Sequence, residues 1–283
     1  MTRIGVVARG DRPDAREVVR ALTQWLTDRG RRVVMDRQTA GLVASEGVER
    51  RLLPRQVDLI VVLGGDGTLL SVARLVGGLD VPIFGVNLGG LGFLTATTLE
   101  ALYSTLETVL GGAYAAEERM LLSATVVRAE TVRAEYLALN DVVVAKGAVG
   151  RLIDLEVRAD GQAMTSYRAD GLIIATPTGS TAYNLSAAGP ILFPTMDAMV
   201  LTPICSHALT NRPIALPGSV ALEVSLVTDS PEVVLAMDGE AGVPVTAADT
   251  LRVRRAEARI RLIRDPQKTY FEVLRTKLKW GER

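Results

Sequence analysis

The chain has 283 residues, enough to bury a sizeable core and to divide into two domains. Hydrophobic residues make up 48%, which excludes disorder as the main description, and 32 basic residues balance 32 acidic ones, which excludes a broad basic field for nucleic acid. One cysteine, Cys205, rules out an internal disulfide, and neither a signal-peptide core nor a membrane-length apolar run is seen, so a soluble cytoplasmic protein is expected.

Residues 3–8 (RIGVVA) read as a strand. Asp14-x-x-Glu17 resembles a capping box, and Val18, Leu22, Trp25 and Leu26 fall on one helical face that ends at Gly30. Residues 31–36 read as the next strand. A buried strand follows over 59–63, then a glycine loop, a helix to about Val76, a strand over 81–86, and a helix over 99–110. This alternation predicts a parallel sheet flanked by helices.

After Gly112 the pattern changes. Residues 120–128, 134–145, 151–158, 171–176, 219–227, 232–237 and 250–263 are β-rich and often alternate. Asp-Gly pairs at 160–161, 170–171 and 238–239 mark turns, several of them hairpins. One short helix is expected from Gly179 through Ala188. In the last segment Tyr270, Leu274 and Leu278 stand at helical spacing. The expected fold class is therefore an α/β N-terminal Rossmann-like domain (1–112) plus a largely antiparallel all-β C-terminal domain (113–267), with a terminal helix (268–283) that packs back on the first domain.

Four motifs carry chemistry. Gly64-Gly65-Asp66-Gly67-Thr68 joins the buried strand to a helix. Glycines let the backbone approach a ligand, and amides at a helix N-terminus attract phosphate. An acid in such a cradle raises the cost of binding an anion unless it serves the reaction, by holding a metal or accepting a proton. Phosphoryl transfer is the first hypothesis, and a tight strand-to-helix turn is the ordinary alternative. Asn87–Thr95 (NLGGLGFLT) is a second glycine loop at the carboxyl end of a strand, where open α/β sheets bind ligands; a plain connection would look similar.

Asn140-Asp141 interrupts an apolar run, so both residues need partners if buried. They either mark a bulge or grip ribose hydroxyls. Thr176–Pro190 (TPTGSTAYNLSAAGP) gathers five serine and threonine hydroxyls with Tyr183 and Asn184. Ser180 or Thr178 as a helix cap explains part of this block, but not the clustering of Thr181, Tyr183, Asn184 and Ser186. His207, the single histidine, reads as structural, and with Cys205 it makes too few ligands for zinc. The loop has no lysine where a Walker A motif needs one.

Together these elements resemble the NAD kinase family. The resemblance is carried by GGDGT at 64–68, NLGGLGFL at 87–94, ND at 140–141, YRADGLIIATPTGSTAYNLSAAGP at 167–190, HALTNRPI at 207–214 and DGE at 238–240. GGDGT alone also resembles loops of phosphofructokinases and of diacylglycerol and sphingosine kinases; the TPTGSTAYNLS block is far more specific. The resemblance implies a site in a cleft between two domains. It implies transfer of the terminal phosphoryl group of ATP, or of polyphosphate, to the 2′-hydroxyl of the adenosine ribose of NAD, giving NADP. It implies a divalent cation, usually Mg2+, and a homodimer or homotetramer.

By motif position, Asp66 would accept the ribose proton. A carboxylate is a weak base in water, so positioning must supply much of the effect. Gly64, Gly65, Gly67 and Thr68 would face phosphate. Asn140 and Asp141 would hold the adenosine end. Thr181, Ala182, Tyr183, Asn184, Leu185 and Ser186 would bind nucleotide, with Arg151, Arg168, Asp170 and Glu240 as further contacts. Asp141 stands where the family usually has glutamate, Ser71 where a basic residue is common, and Glu240 where glutamine is common. The alternatives are a lipid kinase, for which no basic amphipathic helix or hydrophobic tail is seen, and a dinucleotide sensor, which would gain nothing from an acid facing phosphates.

Overall fold

The computed structural model describes residues 1–147, 151–227, 232–265 and 268–281. The expected domain limit at residue 267 and the last two residues of the chain lie outside them. By contact the chain divides into one unit of Met1–Glu118 with Ile260–Arg283 and a second of Arg119–Arg259.

In the first unit, β1 (Arg3–Ala8), β2 (Arg32–Met35), β3 (Leu59–Gly64) and β4 (Ile83–Asn87) are parallel in the order β2-β1-β3-β4, with the two-residue β5 (Thr97–Thr98) beside β4. All six residues of β3 are buried. Each fully buried Val or Leu there contributes about 1.5–3 kcal/mol. This explains a continuous apolar run rather than alternation. Around the sheet run α1 (Ala15–Asp28), α2 (Arg37–Leu42), α3 (Asp66–Val76) and α4 (Leu102–Leu110).

α1 buries Val18, Leu22 and Leu26 as its spacing requires, and Gly30 beyond it has φ +69°. Its expected capping box does not form. Asp14 makes no side-chain cap bond; its carboxylate accepts instead from Arg12 Nε and Nη2 at 3.0 and 3.1 Å. α2 and a 3-10 turn at Arg50–Arg55 were not legible as helices: the first is six residues capped by Asp36, and the second contains Pro54.

Among its described residues the second unit holds strands and two short helical pieces, its first strand beginning just before the unit does. β6 (Ala116–Arg128) pairs β7 (Thr131–Ala138), and β8 is Asp141–Ala145. β9 (Ile153–Ala159) and β10 (Gln162–Ala169) form the hairpin expected at Asp160-Gly161. β11 (Gly171–Ala175) leads to the 3-10 turn Gly179–Thr181 and α5 (Tyr183–Ser186), two short pieces where one helix was expected. β12 (Ala198–Ile204), β13 (Ile214–Pro217), β14 (Leu222–Leu226), β15 (Val234–Met237), β16 (Glu240–Pro244) and β17 (Asp249–Ile263) follow.

One sheet runs β13-β12-β11-β8-β15-β16, antiparallel throughout. β9 pairs β10 on one side and β14 on the other, and β14 pairs the first part of β17. A core of Leu122, Val144, Leu155, Ile174, Leu201 and Leu235, among others, fills this unit. Asp238-Gly239 makes the β15–β16 hairpin, with φ of +51° and +77°. Asp170-Gly171 does not make a hairpin, because β11 pairs β12 and β8 rather than β10.

Leu262 and Ile263, at the end of β17 and themselves part of the first unit, run parallel to β4. The last element, α6 (Tyr270–Leu278), has a complete capping box between Thr269 and Glu272 and buries Val273 and Leu274. Lys268 Nζ donates to the Ala96 carbonyl at 2.8 Å, fixing the start of this helix to the segment after β4.

Candidate active site

Gly65 is the N-cap of α3 and Asp66 its first residue. None of Gly64, Gly65 or Gly67 has a left-handed backbone, so the turn itself does not demand them. Gly64 is required by packing: a Cβ there would meet Thr68 Oγ1 at 2.6 Å. Gly65 and Gly67 face open space. The first amides of a helix have no intrahelical acceptor, so this end of α3 presents unfilled donors and a positive dipole end.

Asp66 is held by the second glycine loop. Its Oδ1 accepts from the Leu94 amide (3.1 Å), the Thr95 amide (3.0 Å) and Thr95 Oγ1 (2.9 Å). Among the described residues its Oδ2 accepts only from the Phe93 amide, at 2.8 Å. Oδ1 is saturated, while Oδ2 keeps acceptor capacity for one more proton donor. Thr95 is itself fixed, because Asn87 Nδ2 donates to its Oγ1 at 2.9 Å, while Asn87 Oδ1 accepts from the Gly89 amide at 2.6 Å. Gly92 makes the approach possible: a Cβ there would lie 2.2 Å from Asp66 Oδ1 and 2.4 Å from Thr95 Oγ1.

Beside this carboxylate lies a cavity of about 340 Å³, lined by both glycine loops and by Arg9, Arg12 and Lys277. The three basic residues come from the ends of β1, α1 and α6, and sequence reasoning missed all of them. A second hollow of about 300 Å³ adjoins Gly67, Thr68 and Ser71 and is lined by Arg9 and Arg50. Arg50 Nη1 donates to Ser71 Oγ at 3.3 Å, so a guanidinium stands at the position where Ser71 itself brings no charge.

In the second unit the Asn140–Asp141 segment has a carboxylate clamp of its own. Asp238 Oδ2 accepts from the Leu139 amide at 3.0 Å, and Oδ1 from the amides of Asn140 (2.7 Å) and Asp141 (3.2 Å). The Asn140 carbonyl accepts from the Thr176 amide at 2.8 Å, which joins the start of β8 to the hydroxyl-rich block. Asp141 is 3% exposed, and burial, with the nearby Asp238 charge as the lesser cause, pushes its carboxyl up to about 7.

Within Thr176–Pro190 the hydroxyls divide by role. Thr176 Oγ1 accepts from the Gly179 amide, and Ser180 Oγ bonds the Pro177 carbonyl and the Leu192 amide. Neither Thr178 nor Ser180 caps a helix through its side chain. Asn184 is wholly buried; its amide donates to the Ser180 and Pro190 carbonyls and accepts from Thr202 Oγ1. Tyr183 and Ser186 are exposed, Thr181, Ala182 and Leu185 half-buried, and Glu240 is exposed at the start of β16.

Asp170 lies at the other end of the β8–β11 ladder, paired to Lys146 Nζ at 2.8 Å. Arg168 precedes it at the end of β10, 4.0 Å from Asp154, and Arg151 is exposed. The ladder spaces this group about 15–20 Å from Asn140, so the structure does not bring all the expected contacts together within this unit.

Residues 4–114 match the family model for the ATP-NAD kinase N-terminal domain, and residues 139–265 the model for the ATP-NAD kinase C-terminal domain. The chain belongs to the NAD kinase family. It is 50% identical over 285 residues to the NAD kinase of Syntrophotalea carbinolica and 48% identical over 283 residues to that of Geobacter metallireducens, with 100% of each chain covered in both cases. Its fold is similar to that of yeast NADH kinase crystallised with NADH (TM-score 0.92, 24% identity), covering 100% of this chain and 89% of that one. An NAD kinase from Archaeoglobus fulgidus in complex with ATP is also similar (TM-score 0.78, 24% identity), over 98% and 99% of the two chains. The α/β domain followed by an antiparallel β domain is thus the NAD kinase fold.

Among the described residues no three His, Cys, Asp or Glu side chains gather into a metal cage. A phosphate-borne Mg2+ needs only one or two carboxylates besides phosphate oxygens and water. Asp66 is, among the described residues, the one carboxylate lining the 340 Å³ cavity, so the donor set fits an ion carried in on phosphates. Among the described residues no helix is long and apolar enough to cross a membrane.

Proposed function

We propose that this chain phosphorylates NAD to NADP with ATP as the donor, acting on the 2′-hydroxyl of the adenosine ribose. The observation that carries the chemistry is the asymmetry of Asp66: a saturated Oδ1 locks the carboxylate in place while Oδ2 retains acceptor capacity beside the cavity. As the 2′-oxygen bonds to the terminal phosphorus, its proton passes to Asp66 Oδ2, the phosphorus–oxygen bond to the β-phosphate breaks, and ADP leaves. Amides at the start of α3 steady the anion.

In the same proposal Gly64, Gly65, Gly67 and Thr68 line the phosphate site. Asn140, Asp141 and the Thr181–Ser186 stretch take NAD, with Tyr183 offering a ring face and Asn184 acting through the shape it gives that turn. Arg151, Arg168, Asp170 and Glu240 are proposed as peripheral contacts. A divalent cation, proposed to be Mg2+, would be held chiefly by phosphate oxygens and water beside Asp66 and would neutralise phosphate charge. A homodimer or homotetramer in the cytoplasm completes the proposal, and light scattering measures the assembly.

The direct test mixes purified protein with ATP, Mg2+ and NAD and follows NADP with an NADP-specific dehydrogenase. NADP formation is expected. Its absence, with phosphate transferred to diacylglycerol instead, would overturn the assignment. Replacing ATP by polyphosphate and NAD by NADH in the same assay defines the donor and acceptor range.

A further inference from the structure

Among the described residues three cations line the cavity beside Asp66, and they differ in charge balance. Arg9 is closed on Asp11 by contacts of 2.7, 2.9 and 2.6 Å, and Arg12 on Asp14 by contacts of 3.0 and 3.1 Å. Each pair sums to no net charge. Lys277 has no carboxylate within ion-pair distance among the described residues. Its Nζ stands 5.8 Å from the ring centroid of Phe93. That is the residue whose amide donates to Asp66 Oδ2. One residue therefore carries both the proton acceptor and, across its ring face, an ammonium group.

The placement follows from the helix. Val273 and Leu274 are the buried residues of α6, and Lys277 lies four and three positions beyond them, on the same face. The capping box and the Lys268–Ala96 bond fix where this helix begins. A donor triphosphate brings several negative charges to a cavity whose own carboxylate is Asp66. With both arginines paired, Lys277 is, among the described residues, the lining cation without a carboxylate partner. An ammonium on a flexible four-carbon stem can follow a phosphoryl group as it moves.

Resting on the phosphoryl-transfer reading above, we infer that Lys277, delivered by the C-terminal helix, contacts the donor's terminal phosphoryl group and stabilises the charge on it during transfer. It is then a catalytic residue of the donor half-site, whereas an ammonium that merely anchors Phe93 would affect both substrates alike.

The test compares wild type, Lys277→Ala, Lys277→Arg and, as a control on the same helix end, Lys279→Gln. Steady-state NADP formation is measured, together with calorimetric titration of ATP in the absence of NAD. Lys277→Ala is expected to lower kcat/KM for ATP about 100-fold. KM for NAD should stay within about two-fold and the melting temperature should not change, with part of the loss restored in Lys277→Arg and none seen in Lys279→Gln. Unchanged ATP kinetics in Lys277→Ala, or equal losses for ATP and NAD, would overturn the assignment. The titration separates the two claims. If wild type makes no NADP yet binds ATP in a Lys277-dependent way, the reaction is misassigned and the cation is not. If wild type does not bind ATP at all, both fail.

Discussion

Asp66 and Asp238 do the same local work in the two units with opposite consequences. Each is a single carboxylate that accepts backbone amides from a loop far away in sequence: residues 93–95 for Asp66, residues 139–141 for Asp238. Asp66 begins an eleven-residue helix beside an open cavity. Asp238 sits in a two-residue hairpin turn at φ +51° and backs onto a second, buried carboxyl, Asp141. A carboxylate that must react needs one oxygen with spare acceptor capacity and access to a ligand. One that only organises a loop is better spent on amides, and it raises the pKa of any acid near it.

Removing the proposed proton acceptor is the strongest way to break this comparison. Asp66→Asn should lower kcat by about 10²–10⁴-fold while NAD affinity stays within a few-fold, read from NADP formation and NAD titration. Full activity in this variant would leave Asp66 with only the loop-holding role of Asp238. Gly92→Ala attacks the positioning instead. Its new Cβ would collide with Asp66 Oδ1 at 2.2 Å, so the carboxylate must move. A loss in kcat of about 100-fold is expected from misplacing a reacting group. Denaturant unfolding should show a smaller cost, about 1–3 kcal/mol for an overpacked site.

On the other side, Asp238→Ala should act mainly on stability. It leaves the amides of Leu139, Asn140 and Asp141 without their acceptor, at about 1–3 kcal/mol for each that stays buried and unsatisfied. A fall in melting temperature and a weaker KM for NAD, with kcat less affected, would sharpen the contrast.

The smallest effect concerns pH. The Asp141 carboxyl titrates near 7 in the fold, against an ordinary value of 3.8, so the fold favours its protonated form. The stability this gives is fully present below about pH 3.8 and is lost as pH rises towards 7, because the unfolded chain releases the proton first. Asp141→Asn should therefore gain on wild type between pH 5 and pH 8, by on the order of 1–3 kcal/mol. Parallel melting curves for the two proteins across that range would refute it.

Much of the fold could be read locally. The β3 run, the glycine punctuation after it, the helical spacing of Tyr270, Leu274 and Leu278 and the Asp-Gly turns at 160–161 and 238–239 each depend on residues a few positions apart. Where the local reading failed, a competing partner was present. Asp14 looked like a cap, but Arg12 takes its carboxylate. Ala198–Ile204 contains Pro203, which weakens a strand pattern, yet it is a buried strand between β11 and β13. The hydroxyl-rich block was visible as a cluster. That Asn184 would turn inward to Thr202, and Tyr183 outward, was not.

Residue order by itself determined where the backbone could turn, which segments were apolar enough to be buried, and that an acid would open the helix after β3. The tertiary structure alone decided which amides saturate that acid, which carboxylate secures Asn140, and which cations line the cavity beside Asp66. Those partners lie 27 to 29 residues apart for Asp66 and 97 to 99 for Asp238. Turn and helix preferences are set by steric limits within a few residues, whereas the pairing of an acid with distant donors is fixed only when the packed core brings them within bonding distance.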